Sequence, residues 1–278
     1  MSGRRRVLVT GGAGNVAGWL ARTAPGDVEL HVTEHRTPVH DDVRAVATLH
    51  PVDLRRWEST LHLLVDVRPD VVVHAAYAQS DRAAIVDASL HVAGAAQQVG
   101  AAVLHLSTDV VFSGDAPPYA EHDEPDPVSD YGRWKAEAEQ RVLGVVPDAC
   151  ITRTSLVVSL DPLDVSSGSF VDALSCGREV TLFRDEMRQP IRAEDLAAEL
   201  WALVAQDRSE RAGIWHLPGP EHLSRWELGE RLAARMGLDP AAIVAAFASE
   251  VAPERPRDTR LTSTRREKLG VRLRSVDA

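Results

Sequence analysis

Lysine is almost missing from this chain: of 278 residues only Lys135 and Lys268 carry it, and arginine supplies the other basic side chains. Tyrosine, methionine and cysteine are scarce too, at three, three and two residues. Cys150 and Cys176 lack metal-ligand or redox spacing, which excludes a disulfide framework and reads as ordinary thiols of a reducing compartment, the cytoplasm. No apolar run approaches the roughly 20 residues a membrane helix needs, and the leading arginines pass directly into a strand pattern instead of a signal-peptide core. Beyond Arg4-Arg5-Arg6 there is no basic cluster, and the net charge is −10. Nucleic acid is therefore excluded as a partner, because phosphate binding needs a concentrated positive face. A small molecule is favoured. No compact cluster of metal ligands is visible, so no metal is expected, and there is no internal repeat or low-complexity segment.

What is present is a regular rhythm. Short, β-branched runs at Val7 to Thr10, Val28 to Val32, Val71 to His74, Val103 to Ser107 and Ala149 to Arg153 read as buried strands. A further strand ends before Asp53. Helical stretches alternate with them: Asn15 to Thr23, Arg56 to Val67, Arg82 to Val99 and Tyr131 to Gly144. That alternation predicts an α/β fold, a Rossmann-like, doubly wound parallel sheet. A Pro- and acid-rich loop, Ala116 to Asp130, interrupts it. After Arg153 the rhythm loosens into a helix near Ser169 to Ser175, a strand at Val180 to Phe183, a helix from Glu194 to Val204, and a helix from Ser224 to Met236 with Ser224 as N-cap and Gly237 as C-cap. Residues 1–160 are read as the dinucleotide-binding domain, with about 185–205 returning to it, and 161–278 as mainly a smaller substrate-binding lobe.

The first strand runs into Thr10-Gly11-Gly12-Ala13-Gly14-Asn15-Val16-Ala17-Gly18. Glycines at a strand-to-helix turn let backbone approach a pyrophosphate, and the free N–H groups of the helix N-terminus supply donors and a positive dipole end. Gly11, Gly14, Asn15 and Val16 are therefore candidate cofactor contacts. The second strand ends in Glu34-His35-Arg36, which offers both a carboxylate for a ribose 2′-hydroxyl and an arginine for a 2′-phosphate. Arg36 has no further acid after it until Asp41, so NADP(H) is the preferred reading, with NAD(H) open. Asp53-Leu54 and Ala75-Ala76-Tyr77 follow the third and fourth strands, where small residues let a dinucleotide lie close to backbone.

Tyr131 and Lys135 are four residues apart, which on one helix puts phenol and ammonium on the same face. A cation held there is expected to favour the phenolate and lower the tyrosine pKa from about 10. Ser107-Thr108-Asp109 closes the fifth strand, so a hydroxyl at a strand end and a Tyr/Lys pair on the next helix can converge on one carbonyl oxygen.

With these residues in place the chain resembles the extended short-chain dehydrogenase/reductases, and among them the dTDP-4-dehydrorhamnose reductases. The resemblance rests on Thr10-Gly-Gly-Ala-Gly, Arg68-Pro-Asp-Val-Val-Val-His-Ala-Ala-Tyr, Ser107-Thr-Asp-Val-Val-Phe-Ser-Gly, Tyr131-Gly-Arg-Trp-Lys135, Arg153-Thr-Ser, Arg188-Gln-Pro with Glu194-Asp-Leu-Ala, and Arg255-Pro-Arg-Asp-Thr-Arg-Leu. It implies reduction of a nucleotide-linked 4-keto-6-deoxysugar, with Tyr131 as proton donor, Thr108 bonded to the reacting oxygen and Lys135 holding the nicotinamide ribose. It also implies Asp109 and Arg188 beside the sugar nucleotide, Arg188 on its diphosphate, and His91 on the cofactor side. A homodimer is compatible with this reading.

Three departures stand out. Ala17 replaces the third glycine of the turn, His91 stands where an asparagine serves the proton relay of the wider superfamily, and Leu156 replaces a tryptophan beside the substrate. Val110 stands where dehydratases of this fold carry a glutamate, which points to simple reduction. An epimerase or dehydratase type of enzyme, and a non-catalytic regulatory subunit on the same fold, stay open as alternatives.

Overall fold

The computed structural model describes residues 4–278. Six strands, β1 (Arg5–Thr10), β2 (Val28–Glu34), β3 (Thr48–Pro51), β4 (Val71–His74), β5 (Ala102–Thr108) and β6 (Cys150–Thr154), alternate with α1 (Asn15–Arg22), the short α2 (Asp41–Arg44), α3 (Trp57–Val67), α4 (Ala88–Val99) and α5 (Asp130–Val145). Four shorter strands follow, β7 (Val157–Val158), β8 (Val180–Phe183), β9 (Met187–Arg188) and β10 (Ile191–Arg192), with α6 (Val165–Ser175) between the first two. Then come α7 (Ala193–Ala205), α8 (Arg208–Arg211) and β11 (Gly213–Leu217). The chain closes with β12 (Leu223–Ser224), α9 (Arg225–Arg235), β13 (Ile243–Ala246) and α10 (Ala248–Val251).

The central sheet is parallel throughout, in the order β11-β6-β5-β4-β1-β2-β3. The strand order reverses beside β1, between it and β4, the switch point at which a doubly wound sheet opens a crevice for ligands. Side chains alternate between two cores. Val7 and Val9 of β1, Val71 and Val73 of β4, Ala102 and Leu104 of β5 and Cys150 of β6 join the core beneath α1 and α7. Leu8, Val72, Val103 and Ile151 face the opposite core, beneath α3, α4 and α5. Burial on both faces is why these strands read as continuous apolar runs. The seventh strand, β11, lies within the range read as the second lobe; it hydrogen-bonds to β6 from Gly213 to Leu217 and extends the sheet.

The C-terminal segments build a small layer over the carboxyl ends of β5 and β6. β8 pairs with β13 in parallel and β9 with β12 antiparallel. Val158, Leu223, Leu228, Leu232 and Val276 form its core, against which Leu156 packs. Ser224 caps α9 through a reciprocal capping box with Glu227, and Gly237 beyond its end adopts φ +66°.

A charge network is buried between α5 and the sheet. Arg153 of β6 and Glu139 of α5 are 1% and 3% exposed. They are joined by Arg153 Nη2 donating to Glu139 Oε2 at 2.8 Å, and Ser107 donates to the same carboxylate. Removing one partner of such a pair strands a buried charge. Glu139→Ala is expected to lower stability by about 3–5 kcal/mol, measured by urea unfolding; a loss under about 1 kcal/mol, the range of a surface pair, would show that the charges are solvated.

Candidate active site

The turn after β1 is shaped by one glycine. Gly11 has φ +78°, and a Cβ there would lie 2.8 Å from the Ala76 backbone, so the loops after β1 and β4 touch in a way only glycine permits. Thr10 locks the same junction. Its Oγ1 accepts the N–H groups of Ala75 and Ala76 at 3.1 Å each, which leaves its proton for Nδ1 of His74 at 2.8 Å. His74 is then protonated on Nε2, which donates to Ser89 at 3.1 Å. Full burial agrees, holding its pKa down at about 3 and the ring neutral.

Gly14 caps α1 without a side-chain hydrogen bond, and no acid occupies the first turn. The leading N–H groups of the helix, from Asn15 and Val16 onward, have no intrahelical acceptor and lie at the carboxyl end of β1, beside the switch point. Asn15 adds a buried Nδ2 with no partner. Open helix amides, an unanswered amide nitrogen and a loop pressed to the backbone limit are a cradle for a diphosphate, and these residues fit a dinucleotide cofactor. At the end of β2, Glu34 is engaged by Arg44 at 2.7 Å, whereas Arg36 is exposed and has no ion-pair partner among the described residues. Asp53 is gripped by Arg55 at 2.8 Å, which holds its carboxyl down at about 2. The buried Leu54 presents its carbonyl to His91 Nδ1 at 3.1 Å, and His91 packs edge-on against Trp57. His91 thus braces the loop after β3.

Thr108 ends β5, and Tyr131 lies in the first turn of α5. Their approach depends on Gly132, where a Cβ would come within 2.2 Å of the Val110 carbonyl; the missing side chain lets α5 start flush against the turn after β5. The Thr108 hydroxyl lies near enough to the Tyr131 phenol to favour its ionised form, although it donates to Asp109 at 3.3 Å, and the Tyr131 ring is 6.0 Å from that of Tyr77, which is 57% exposed. Lys135 lies one helical turn on, 5% exposed, and donates from Nζ to the Leu106 carbonyl at 2.6 Å. The electrostatics differ from the expectation drawn from spacing. Burial raises the Tyr131 pKa above 10, aided by Tyr77 and Asp109 and opposed only by the Thr108 hydroxyl. Burial also brings Lys135 itself down to about 8, against the pull of Glu139. Beneath it lies His105, both ring nitrogens buried without partners and the ring 5.4 Å from His74.

Asp109 and Arg188 are 3% exposed each. Asp109 accepts from Ser155 at 2.7 Å and Thr259 at 2.8 Å and lies 3.9 Å from Arg188 Nε. Arg188 donates to the carbonyls of Met187, Arg257 and Pro256 at 2.7, 3.2 and 2.9 Å and reaches Glu186 at 3.3 Å. Its donors are spent inside the protein, clamping the segment 256–257 over the end of β5.

The sequence matches the RmlD substrate binding domain family over residues 5–276. The chain belongs to that family. Methionine adenosyltransferase 2 subunit beta of Mus musculus is 26% identical to it over 287 residues, 98% of this chain and 84% of that protein. The dTDP-4-dehydrorhamnose reductase of Sinorhizobium fredii is 30% identical over 233 residues, 77% of this chain and 72% of that protein. The structure of dTDP-4-dehydrorhamnose reductase from Bacillus anthracis in complex with NADP covers 99% of this chain and 96% of its own, with a TM-score of 0.81 at 19% identity, and shares the fold.

Within this RmlD-type chain, Thr10, His74, Ser155 and Thr259 stand in the motifs of the sequence without a role of their own, and Glu139 stands outside them; all five act as supports of the site. The one visible signal was polar residues, His74 and Arg153, set inside apolar strands. No helix among the described residues is long and apolar enough to cross a membrane. Because the chain has only two lysines, lysine-labelled NMR reads Lys135 directly. Its side chain should titrate near pH 8, charged below and neutral above, with Lys135→Met assigning the signal. A midpoint at the ordinary lysine value of about 10.4 would show that the burial is not maintained in solution.

Proposed function

We propose that this chain is an NAD(P)H-dependent reductase of a nucleotide-linked keto sugar, a 4-keto-6-deoxysugar by family resemblance. The observation that carries it is the convergence of the Tyr131 phenol and the Thr108 hydroxyl at the carboxyl end of β5, next to the crevice lined by Gly11, Gly14 and Asn15. When bound, the reduced nicotinamide supplies a hydride to the ketone carbon. Tyr131 then gives up its Oη proton to the ketone oxygen, so that C=O becomes CH–OH. A phenol whose pKa lies above 10 carries its proton at neutral pH, and a positive charge that stabilises the phenolate as it forms offsets the burial that makes it a weaker acid. Thr108 is positioned to hydrogen-bond the same oxygen. Lys135, charged below pH about 8, is placed to hold the nicotinamide ribose and to offset the phenolate left after transfer. Val110, a hydrocarbon beside Asp109, supplies no further acid or base, which favours reduction over dehydration.

For the cofactor, NADPH is the preferred reading. Glu34 is committed to Arg44, leaving Arg36 as the exposed charge at the end of β2. A second reading, a cofactor-binding regulatory subunit, is favoured by the likeness to methionine adenosyltransferase 2 subunit beta over 98% of the chain.

Mixing the protein with NADPH and a panel of nucleotide-linked 4-keto-6-deoxysugars should consume NADPH with at least one sugar, and Tyr131→Phe should slow turnover by at least ~10²-fold with cofactor affinity retained. Silence across the panel would favour the regulatory reading, and unchanged turnover in the variant would remove Tyr131 from the mechanism. Arg36→Ala should weaken NADPH roughly 10–100-fold, the size of a lost charge-assisted hydrogen bond, with NADH little affected. Equal losses for both would show that Arg36 does not read the 2′-phosphate.

A further inference from the structure

His105 of β5 is 1% exposed, and neither of its ring nitrogens has a hydrogen-bond partner among the described residues. A buried polar atom left unanswered is rare and costly. Burial, with Lys135 and His74 close by, holds the His105 pKa well below the usual 6.5 and keeps the ring neutral. A neutral imidazole carries one N–H and one bare nitrogen, and the bare nitrogen must find a donor.

Nearly every donor around it is spent. Leu104 and Leu106 turn to the core beneath α1 and α7, so His105 and Ser107 project from the opposite face of β5, the face on which Ser107 meets Glu139 of α5. Ser107 gives its proton to that carboxylate, and Arg153 gives two of its nitrogens to it. His74, the register partner of His105 on β4, accepts from Thr10 through Nδ1 and donates through Nε2 to Ser89. The Ser89 hydroxyl in turn goes to the Ile85 carbonyl, and the Thr152 hydroxyl goes to the carbonyl of His105 itself. Lys135 is the exception. Its ammonium has three N–H groups, and among the described residues one is used, on the carbonyl of Leu106, the next residue of β5 after His105.

A spare donor and a bare nitrogen in one packed layer, not bonded to each other, are what a single water joins, since water accepts from an ammonium and donates to an imidazole nitrogen. We propose that His105 is the positioning residue for Lys135: through one buried water its bare nitrogen answers a second N–H of the ammonium and holds the lysine against β5. The third N–H stays free for the cofactor ribose. That last step alone rests on the reductase reading; the bridge itself belongs to the ligand-free chain.

The bridge solvates the ammonium and not the amine, so it favours the charged form of Lys135. The other groups facing that charge are Tyr131 and Glu139 on its own helix and His74 on β4. Glu139 also favours the charged form, while both imidazoles are neutral.

The test is lysine-labelled NMR titration of the full chain, of His105→Leu and of His105→Gln. In the unmodified chain Lys135 titrates near pH 8. His105→Leu removes the acceptor and should lower that midpoint by about one to two pH units, the worth of one hydrogen bond to a charged group. His105→Gln keeps an acceptor and should stay within about half a unit. A merely structural role predicts the reverse, because loosened packing admits solvent and carries the midpoint up toward the ordinary value of about 10.4. A midpoint unchanged or raised in His105→Leu would overturn the assignment. Where His105→Leu does not fold, the unmodified chain decides: a long-lived water should give nuclear Overhauser contacts to both the Lys135 ε-methylene and the His105 ring. Contact with one alone, or with neither, overturns the bridge. Neither measurement involves NADPH or a sugar, so failure here leaves the reductase reading standing.

Discussion

The buried carboxylate of Asp109 ties the two parts of this protein together. It follows Thr108 at the end of β5, yet most of its partners come from elsewhere: Ser155 after β6, Thr259 near the C-terminus and Arg188 of β9. A single carboxylate thus fixes the floor of the cleft to the layer that covers it. An acid this deep is tolerable only because hydroxyls and a guanidinium answer its lone pairs. The position of Thr108 relative to the C-terminal layer is a consequence of that satisfaction.

Burial also governs the acid–base chemistry. Tyr131, Lys135 and Glu139 recur every four residues on one face of α5, which the sheet buries at Lys135 and Glu139 and covers in part at Tyr131. Desolvation favours the neutral form of both phenol and amine, raising Tyr131 and lowering Lys135. At neutral pH the phenol therefore keeps its proton. The Lys135 ammonium donates to the Leu106 carbonyl.

How much was legible from the chain follows burial on two faces. β1, β4, β5 and β6 were readable because both faces are apolar, and α9 because Ser224 and Gly237 mark its ends. β3 was harder: four residues at the sheet edge, with Thr48 and Pro51 exposed, carry no hydrophobic run. β11 was missed as a member of the sheet, since strand membership so far from β6 in sequence is a matter of long-range pairing and leaves no local pattern.

At the site the same division holds. The sequence by itself determined the glycine turn, the strand-end hydroxyl and the four-residue spacing of Tyr131 and Lys135, because these follow from backbone geometry and helical period. Only the tertiary structure decided what those groups are bonded to. Arg188, which its motif places beside the sugar nucleotide, donates to the carbonyls of Met187, Pro256 and Arg257. Lys135 found the Leu106 carbonyl of β5. Hydrogen-bond satisfaction and desolvation depend on every group packed nearby, most of them distant in sequence, and no local pattern encodes them.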